Sequence, residues 1–278
     1  MKNSRPLFGP PVLALLVTLF ACGPTEIPTC RIAKFLWEDN WYSAVYDPAG
    51  RLTSLEAIGR RVDFSYLSGK LTKAAIYEDG LAPRFMFTFK HGPYGIIEAN
   101  EYHESIFGTE HNRTLYHYAS PSQIDYIVCQ EFGTGGDPDP GFEIRYNFSY
   151  DRNGNLSEAD GRSSWLSSRY LGLEYDKKAN PYRMLAAATG NPLFFPACLS
   201  ANFPGPDYGI SILSIFSSNN PVRGEYLIPG VDPEVQRFIN SYSGQLTTKI
   251  IWANTSYGTT TEQDYAFEYD CVALRSYE

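Results

Sequence analysis

The chain has 278 residues, of which 43% are hydrophobic and 15% aromatic, and its formal net charge is −8 at pH 7. This acidic balance argues against nucleic-acid partners, because phosphate backbones are bound by clustered Lys and Arg side chains. The length is sufficient for one large hydrophobic core, and single all-β domains commonly reach this size.

The first 21 residues have the order of an export signal. Lys2 and Arg5 precede an apolar stretch from Val12 to Phe20, and the small residue Ala21 follows. Positive charge, a short apolar run and a small residue before the cleavage point are typical of secretory signals. The run is too short for a membrane-spanning helix, which needs about 20 apolar residues. We therefore predict a signal peptide at residues 1–21.

Cys22 follows this signal directly. The sequence Leu19-Phe20-Ala21-Cys22 resembles the lipobox of bacterial lipoproteins. The resemblance implies cleavage before Cys22 and lipidation of that cysteine, with residues 22–29 as a spacer. A residue that carries two or three acyl chains anchors stably in a membrane. The expected place is the cell envelope at the outer membrane, on its periplasmic or its surface face. The alternative is an ordinary signal peptide beside which Cys22 is incidental.

Residues 30–278 are predicted to form a single β-rich domain, in which residues 180–240 are a less regular covering segment. Removal of residues 1–21 leaves 21 basic and 31 acidic side chains, which is a net charge of −10. That balance disfavours nucleic acid, and it also disfavours docking of the domain on anionic lipid.

Four cysteines remain after Cys22, namely Cys30, Cys129, Cys198 and Cys271. An even number in a chain bound for an oxidising compartment makes all four disulfide candidates, in three pairings that the sequence does not separate. The alternative is that they are buried free thiols, which pack as small hydrophobic residues. No C-x-x-C pair occurs in the sequence, which argues against a structural zinc site or a thioredoxin-type redox motif.

Strict alternation of apolar and polar residues predicts β-strands at four places in the chain. Every second residue is apolar at residues 61–66, 85–90, 142–150 and 265–270. A period of two residues is the pattern of a strand with one buried face. One-sided burial favours an antiparallel sheet over a parallel one.

Turn clusters with a recurring tyrosine lie between these strands. They are Tyr46-Asp47-Pro48-Ala49-Gly50-Arg51-Leu52-Thr53, residues 66–72, residues 150–157 and residues 242–247. Glycine supplies the positive φ of a tight turn, and Asp, Asn or Pro preform it, so each cluster predicts a hairpin. The pattern resembles the YD repeats of bacterial surface proteins and the degenerate versions in Bacteroidota surface lipoproteins. The resemblance implies a curved or wrapped antiparallel sheet and no particular activity.

The segment at 180–240 differs from the rest because it is rich in Pro, Asn and Gly. Asn180-Pro181 and Asp232-Pro233 each place an N-cap residue before a proline at the first helical position. We predict one short helix from Pro181 to Ala188, a second from Pro233 to Ile239, and a buried strand from Ile210 to Phe216. The chain is expected to leave the sheet near Tyr175-Asp176, where the turn pattern lacks its glycine.

Several catalytic motifs are missing from the sequence. It has no Gly-x-Ser-x-Gly elbow and no phosphate-binding loop, and His103 is not followed by a second histidine four residues later. His91, His103, His111 and His117 lie among glutamates, and imidazole with carboxylate suits a transition metal. Their spacing matches no known ligand pattern, so the simpler reading is surface histidines. No cofactor, metal ligand or catalytic residue is assigned.

The function predicted by elimination is non-catalytic binding or scaffolding at the cell envelope, with the membrane as a partner through Cys22. The chain contains 21 Tyr, 17 Phe and 4 Trp residues. Aromatic side chains stack on sugar rings and seat peptides, so a glycan or an envelope protein is the expected ligand, but they also pack well across strands. The alternatives are a secreted hydrolase acting on polysaccharide or peptide, and a structural envelope component.

Overall fold

The structure is a computed structural model that describes residues 29–37, 40–105, 108–132, 138–164, 167–189 and 212–272. These residues form sixteen β-strands and two short helices. In chain order they are β1 (Thr29–Trp37), β2 (Asn40–Tyr46), β3 (Leu52–Ala57), β4 (Arg60–Leu67), β5 (Lys70–Glu78), β6 (Phe85–His91), β7 (Ile96–Ser105), β8 (Gly108–Ser120), β9 (Gln123–Phe132), β10 (Pro138–Tyr150), β11 (Leu156–Arg162), β12 (Ser167–Ala179), α1 (Pro181–Ala188), α2 (Ile212–Phe216), β13 (Asn219–Leu227), β14 (Glu234–Ser243), β15 (Leu246–Ser256) and β16 (Thr259–Val272).

The sixteen strands close into one antiparallel barrel. Each strand pairs with its neighbours in the sequence, and β1 pairs with β16 to complete the circle. Thr29 and Val272 are opposite each other in that last pairing. We call the end of the barrel that holds them the terminal end, and the opposite end the far end. The predicted fold class, a wrapped antiparallel sheet of hairpins with one or two short helices, is confirmed.

The interior of the barrel is apolar, and the outer wall carries charged and polar side chains together with exposed apolar ones such as Trp41, Leu173 and Ile239. Along β10, Tyr146 and Phe148 are buried, whereas Arg145 and Ser149 on either side of them are exposed. Because successive side chains of a barrel strand point alternately inward and outward, the buried set faces the interior. The four stretches of alternation in the sequence all lie within strands, namely β4, β6, β10 and β16.

A ring of tyrosines orders the terminal end. In each case, a hydroxyl near the end of one strand donates to a buried carbonyl near the start of the strand before it. These pairs are Tyr46 to Ile32 at 2.7 Å, Tyr66 to Leu52 at 2.6 Å, Tyr118 to Ile96 at 2.8 Å, Tyr175 to Leu156 at 2.6 Å and Tyr269 to Thr247 at 2.6 Å. His91 takes the same place on β6, with its Nε2 2.6 Å from the carbonyl of Leu71.

Local backbone geometry places these side chains. The register between paired strands shifts immediately before Tyr46, Tyr66 and Tyr150, which is the mark of a β-bulge. The following turns have positive φ at Gly50 (79°) and Gly154 (79°), a conformation that glycine adopts without strain. The predicted tyrosine-and-glycine hairpins are therefore confirmed, and all of them lie at the terminal end.

The helix predicted from Pro181 to Ala188 is present with these bounds as α1, and the Asn180 side chain caps it by accepting from the Tyr182 backbone N–H. The ring of Tyr182 lies 6.2 Å from that of Tyr265 and 5.6 Å from that of Phe267 on β16. The helix follows β12 and precedes β13 in the chain. Around the barrel, β14 and β15 lie between β13 and β16. The helix must therefore reach across the interior, which it partly fills.

Polar side chains fix this inserted segment to the terminal end. Asn180, which is 1% exposed, donates from Nδ2 to the carbonyl of Ser217 at 3.1 Å. The Ser217 hydroxyl accepts from the Leu156 N–H at 3.0 Å, and Asn155 Oδ1 accepts from the Asn219 N–H at 2.8 Å. The segment between β12 and β13 is thus bound to the β10–β11 hairpin through one buried and one partly buried hydrogen bond.

Two predictions for residues 180–240 are wrong. The region from Pro233 to Ile239 is not helical, because Glu234–Ser243 forms β14, whose pairing with β13 and β15 satisfies its backbone groups. Ile212–Phe216 is the short helix α2 and not a buried strand, since it lies in the inserted segment and pairs with no strand of the closed barrel. The chain also stays in the sheet beyond Tyr175-Asp176 and leaves it only after Ala179.

The disulfide candidates have three different outcomes. Cys30 and Cys271 are bonded and join the first strand to the last. Cys129 is a free thiol, because Thr114 and Ile144 occupy the opposite positions on the neighbouring strands and offer no partner sulfur. Cys198 lies outside the described residues, as does the lipidation candidate Cys22.

Candidate binding groove on the outer wall

A groove of about 510 Å³ crosses the outer wall over β4 to β7. We call it the tyrosine groove, because Tyr77 and Tyr102 border it. Its other lining residues are Asp63, Ser65, Lys73, Ala74, Ala75, Met86, Phe87 and Thr88. Its volume lies in the range of small-molecule binding sites, about 300–1,000 Å³.

Strand register explains why these side chains meet. Asp63 of β4 is opposite Ala75 of β5, which is opposite Met86 of β6, which is opposite Tyr102 of β7. Directly paired residues share a face of the sheet, so the four form one row across the wall. The small Ala75 leaves a gap in this row, and Met86, 49% exposed, lies beside it. The gap is the floor of the groove.

Tyr77 is supported by a cation on the neighbouring strand. The guanidinium carbon of Arg61 lies 4.3 Å from the centre of the Tyr77 ring, a cation–π contact. Arg61 also forms an ion pair with Asp63, with Nε 3.1 Å from Oδ1. Arg61 therefore connects one wall of the groove to its acidic rim.

Tyr102 is supported by an aromatic stack on the side away from the groove. The imidazole of His111 lies 4.7 Å from the Tyr102 ring and is parallel to it within 5°. Phe132 continues the stack at 4.5 Å from His111. A hydrogen-bonding contact also holds the imidazole, whose Nε2 is 3.1 Å from Asn100 Oδ1. One face of Tyr102 is thus covered and its ring is held in place.

The surroundings of His111 favour the neutral form of its imidazole. Partial burial lowers the pKa of His111 below its usual value, and the nearby positive charge of Arg113 lowers it further, while Glu98 acts in the opposite direction. A neutral ring stacks on tyrosine without bringing a charge to the groove. The charged groups of the groove lining are then Asp63 and Lys73, which balance each other.

The three histidines whose side chains the structure describes do not assemble into one site. His111 stacks on Tyr102, His117 stacks on Tyr126 at 4.0 Å on another part of the outer wall, and His91 belongs to the ring at the terminal end. The side chain of His103 lies outside the described part of the structure. Among the described residues, no group of three or more His, Cys, Asp or Glu side chains could hold a metal ion.

Sequence reasoning missed the groove. Its residues come from four strands, and most of them occupy ordinary outward-facing positions of the alternation, whereas Ala74 and Phe87 are buried between them. The available signal was that Tyr77, Met86 and Tyr102 are large side chains at positions where the alternation expects polar ones. Without the register between strands, nothing in the sequence shows that these positions lie in neighbouring rows.

Two solved structures share the fold of this chain. A porin-like protein from Bacteroides uniformis matches with a TM-score of 0.52 and 12% identity over 87% of this chain and 98% of that one. A porin-like protein from Bacteroides vulgatus matches with a TM-score of 0.54 and 13% identity over 86% and 98%. No protein-family model matches the sequence, and a search of curated proteins finds no similar one. The YD-repeat resemblance therefore stays a prediction.

Neither α1 nor α2, the helices among the described residues, is long and apolar enough to cross a membrane.

Proposed function

We propose that this protein is a lipid-anchored, non-catalytic binding protein of the outer membrane that holds a neutral glycan in the tyrosine groove. The barrel is a rigid frame for the groove, and lipid on Cys22 keeps the frame at the membrane. The observation that carries the proposal is the pair of braced tyrosines, Tyr77 and Tyr102, on either side of a gap of ligand size.

The chemistry of the lining favours a sugar. Flat aromatic faces stack on the apolar face of a pyranose ring, and tyrosine loses little conformational entropy when it does so. Ser65 and Thr88 offer hydroxyl groups at the rim, while Asp63 and Lys73 offer one charge of each sign. A ligand with many hydroxyl groups and no net charge satisfies this set. Glycoside hydrolysis needs two facing carboxylates, and Asp63 is the one acid among the lining residues described.

The outer wall supports attachment by lipid and not by insertion of the barrel. Cross-strand ion pairs lie on it, such as Arg31 with Asp270 at 3.0 Å and Lys249 with Asp264 at 2.6 Å. A barrel that spans a membrane presents an apolar band outside, where charged side chains are costly, and polar residues inside. The aromatic interior and the inserted α1 also argue against a water-filled channel.

The proposal is tested by isothermal titration of the mature protein with neutral hexasaccharides built from glucose, xylose or mannose, and with an acidic uronate oligomer. We expect one neutral oligosaccharide to bind. Tyr102→Ala should weaken this binding by at least about tenfold, which corresponds to about 1.4 kcal/mol. The barrel offers a matched control, because Tyr126 stacks on His117 as Tyr102 stacks on His111 but does not line the groove. Tyr126→Ala should therefore bind like the wild type.

Two outcomes would count against the groove. Equal losses for both variants would mean that binding occurs elsewhere on the barrel. Binding of the uronate oligomer alone would contradict a neutral ligand. The anchor is tested separately with Cys22→Ser, which should abolish incorporation of labelled palmitate and release the protein from membranes.

A further inference from the structure

We propose that the terminal end of the barrel docks on the anionic headgroup surface of the membrane, so that the far end points away from it. This inference rests on the proposed lipid at Cys22. It concerns a surface apart from the tyrosine groove.

The position of Thr29 limits how the barrel can be oriented. Thr29 is seven positions after Cys22 in the sequence. An extended chain spans at most about 3.5 Å per residue, so the terminal end lies within about 25 Å of the lipid. The nine residues of β5 give the wall a length of about 30 Å before tilt is considered. Contact between the far end and the membrane would need the spacer to run fully extended along the wall.

The hairpin tips of the terminal end carry exposed apolar and aromatic side chains. Leu67, in the β4–β5 hairpin, is 70% exposed, and Tyr94, in the adjacent β6–β7 hairpin, is 50% exposed. Tyr242, in the β14–β15 hairpin, is 40% exposed. Tyrosine is enriched at the level of lipid headgroups because its ring is apolar and its hydroxyl is polar.

Positive charge surrounds these tips. Lys70, Arg152 and Lys177 are exposed and form no ion pair with any residue in the described ranges. Of the acids at the same end, Asp125 is exposed, whereas two others are turned to the protein. Asp47 accepts from the Arg51 guanidinium and from backbone N–H groups, and Asp151 accepts from the N–H groups of its own turn.

The far end has the opposite charge. Asp79, Asp232 and Glu262 are exposed at or near its turns. It also has exposed apolar side chains, namely Ile58 at 96% and Leu81 at 99%. Exposed apolar groups therefore do not distinguish the ends, whereas charge and the position of the spacer do. The net charge of −10 in the mature sequence disfavours docking on anionic lipid when it is spread evenly, but Lys70, Arg152 and Lys177 lie at the terminal end, whereas Asp79, Asp232 and Glu262 lie at the far end.

The experiment compares the two ends in one preparation. Mature lipidated protein is reconstituted into two kinds of vesicle. One is phosphatidylcholine alone, and the other contains about 30% phosphatidylglycerol, which makes the surface anionic. A fluorophore is attached through Leu67→Cys or Leu81→Cys in a Cys198→Ser background. Burial raises the pKa of the Cys129 thiol to about 12, which keeps that residue unreactive. Quenching by nitroxide-labelled headgroups is then measured.

We expect strong quenching of the label at position 67, weak quenching at position 81, and a larger difference in the anionic vesicles. Lys70→Glu combined with Lys177→Glu should reduce the preference of the protein for anionic over neutral vesicles by about fivefold or more for each lysine replaced. Equal quenching at both positions, or none at position 67 in protein that floats with the vesicles, would overturn docking and leave the anchor intact. Protein that does not float would refute the anchor and docking together, while glycan titration still tests the groove.

Discussion

The two ends of the barrel are built on different principles. At the terminal end, a bulge, a tyrosine and a tight turn recur around the circle, and the tyrosine hydroxyls donate to carbonyls of neighbouring strands. At the far end, the turns that the structure describes do not repeat this combination, and Ile58 and Leu81 are exposed almost completely. The tyrosine groove lies on the outer wall over β4 to β7, apart from these repeated hairpins. The repeated tyrosine hairpins thus order one end of the barrel, whereas the candidate ligand site lies on the wall, where that repeat is absent.

The ring should make alkaline pH the most severe challenge to the fold. Burial raises the pKa of Tyr46 from 10.0 to about 12, with Arg31 opposing it, and burial raises the pKa of Tyr175 and Tyr269 as well. A raised pKa means that the folded state holds its proton more tightly than the unfolded state. The stability from these groups is complete below pH 10 and is lost as pH rises through about 12.

We therefore expect cooperative unfolding in that pH range, together with a rise in tyrosinate absorbance. If most tyrosines ionised while the β-sheet signal in circular dichroism persisted, the ring would not be what holds the terminal end. Tyr46→Phe should move the transition to higher pH, because it removes one of the groups that ionise on unfolding.

The disulfide at the terminal end should give the next largest effect. Cys30 and Cys271 are 241 residues apart, so their bond restricts a long loop of the unfolded chain and holds the seam between β1 and β16. Cys30→Ser with Cys271→Ser should lower the free energy of unfolding by about 4 kcal/mol. Urea denaturation measures this, with Cys129→Ser as a control that breaks no disulfide. A loss below about 1 kcal/mol would show that strand pairing alone closes the seam.

Sequence patterns anticipated the terminal end far better than the far end. Asn180-Pro181 marked α1 with the correct bounds because capping chemistry acts locally. The same type of signal at Asp232-Pro233 failed, since pairing with both neighbours holds Glu234–Ser243 in a strand. The number of strands and the gap at Ala75 depend on register between distant segments, and no local pattern encodes that.

The inserted helix should contribute more than any exposed side chain at the far end. Leu185 of α1 is 0% exposed and belongs to the core, whereas Leu81 at the far end is 99% exposed. Leu185→Ala should destabilise the protein by about 3 kcal/mol because it leaves a cavity, and Leu81→Ala should change the stability by less than about 0.5 kcal/mol. Thermal unfolding of the two variants makes the comparison. Similar small changes in both would mean that the inserted segment is not part of the folded core.

A single hydroxyl of the ring should have the smallest measurable effect. Tyr66→Phe removes the donor to the Leu52 carbonyl, and leaves a buried acceptor without that bond, so we expect a loss of about 1 kcal/mol in urea denaturation. Tyr182 is the matched control, because its buried hydroxyl has no hydrogen-bond partner among the described residues. Tyr182→Phe should then be neutral or stabilising, since it removes a desolvated polar group that gains nothing in return. Equal losses in both variants would trace the effect to ring packing and not to the repeated hydrogen bond.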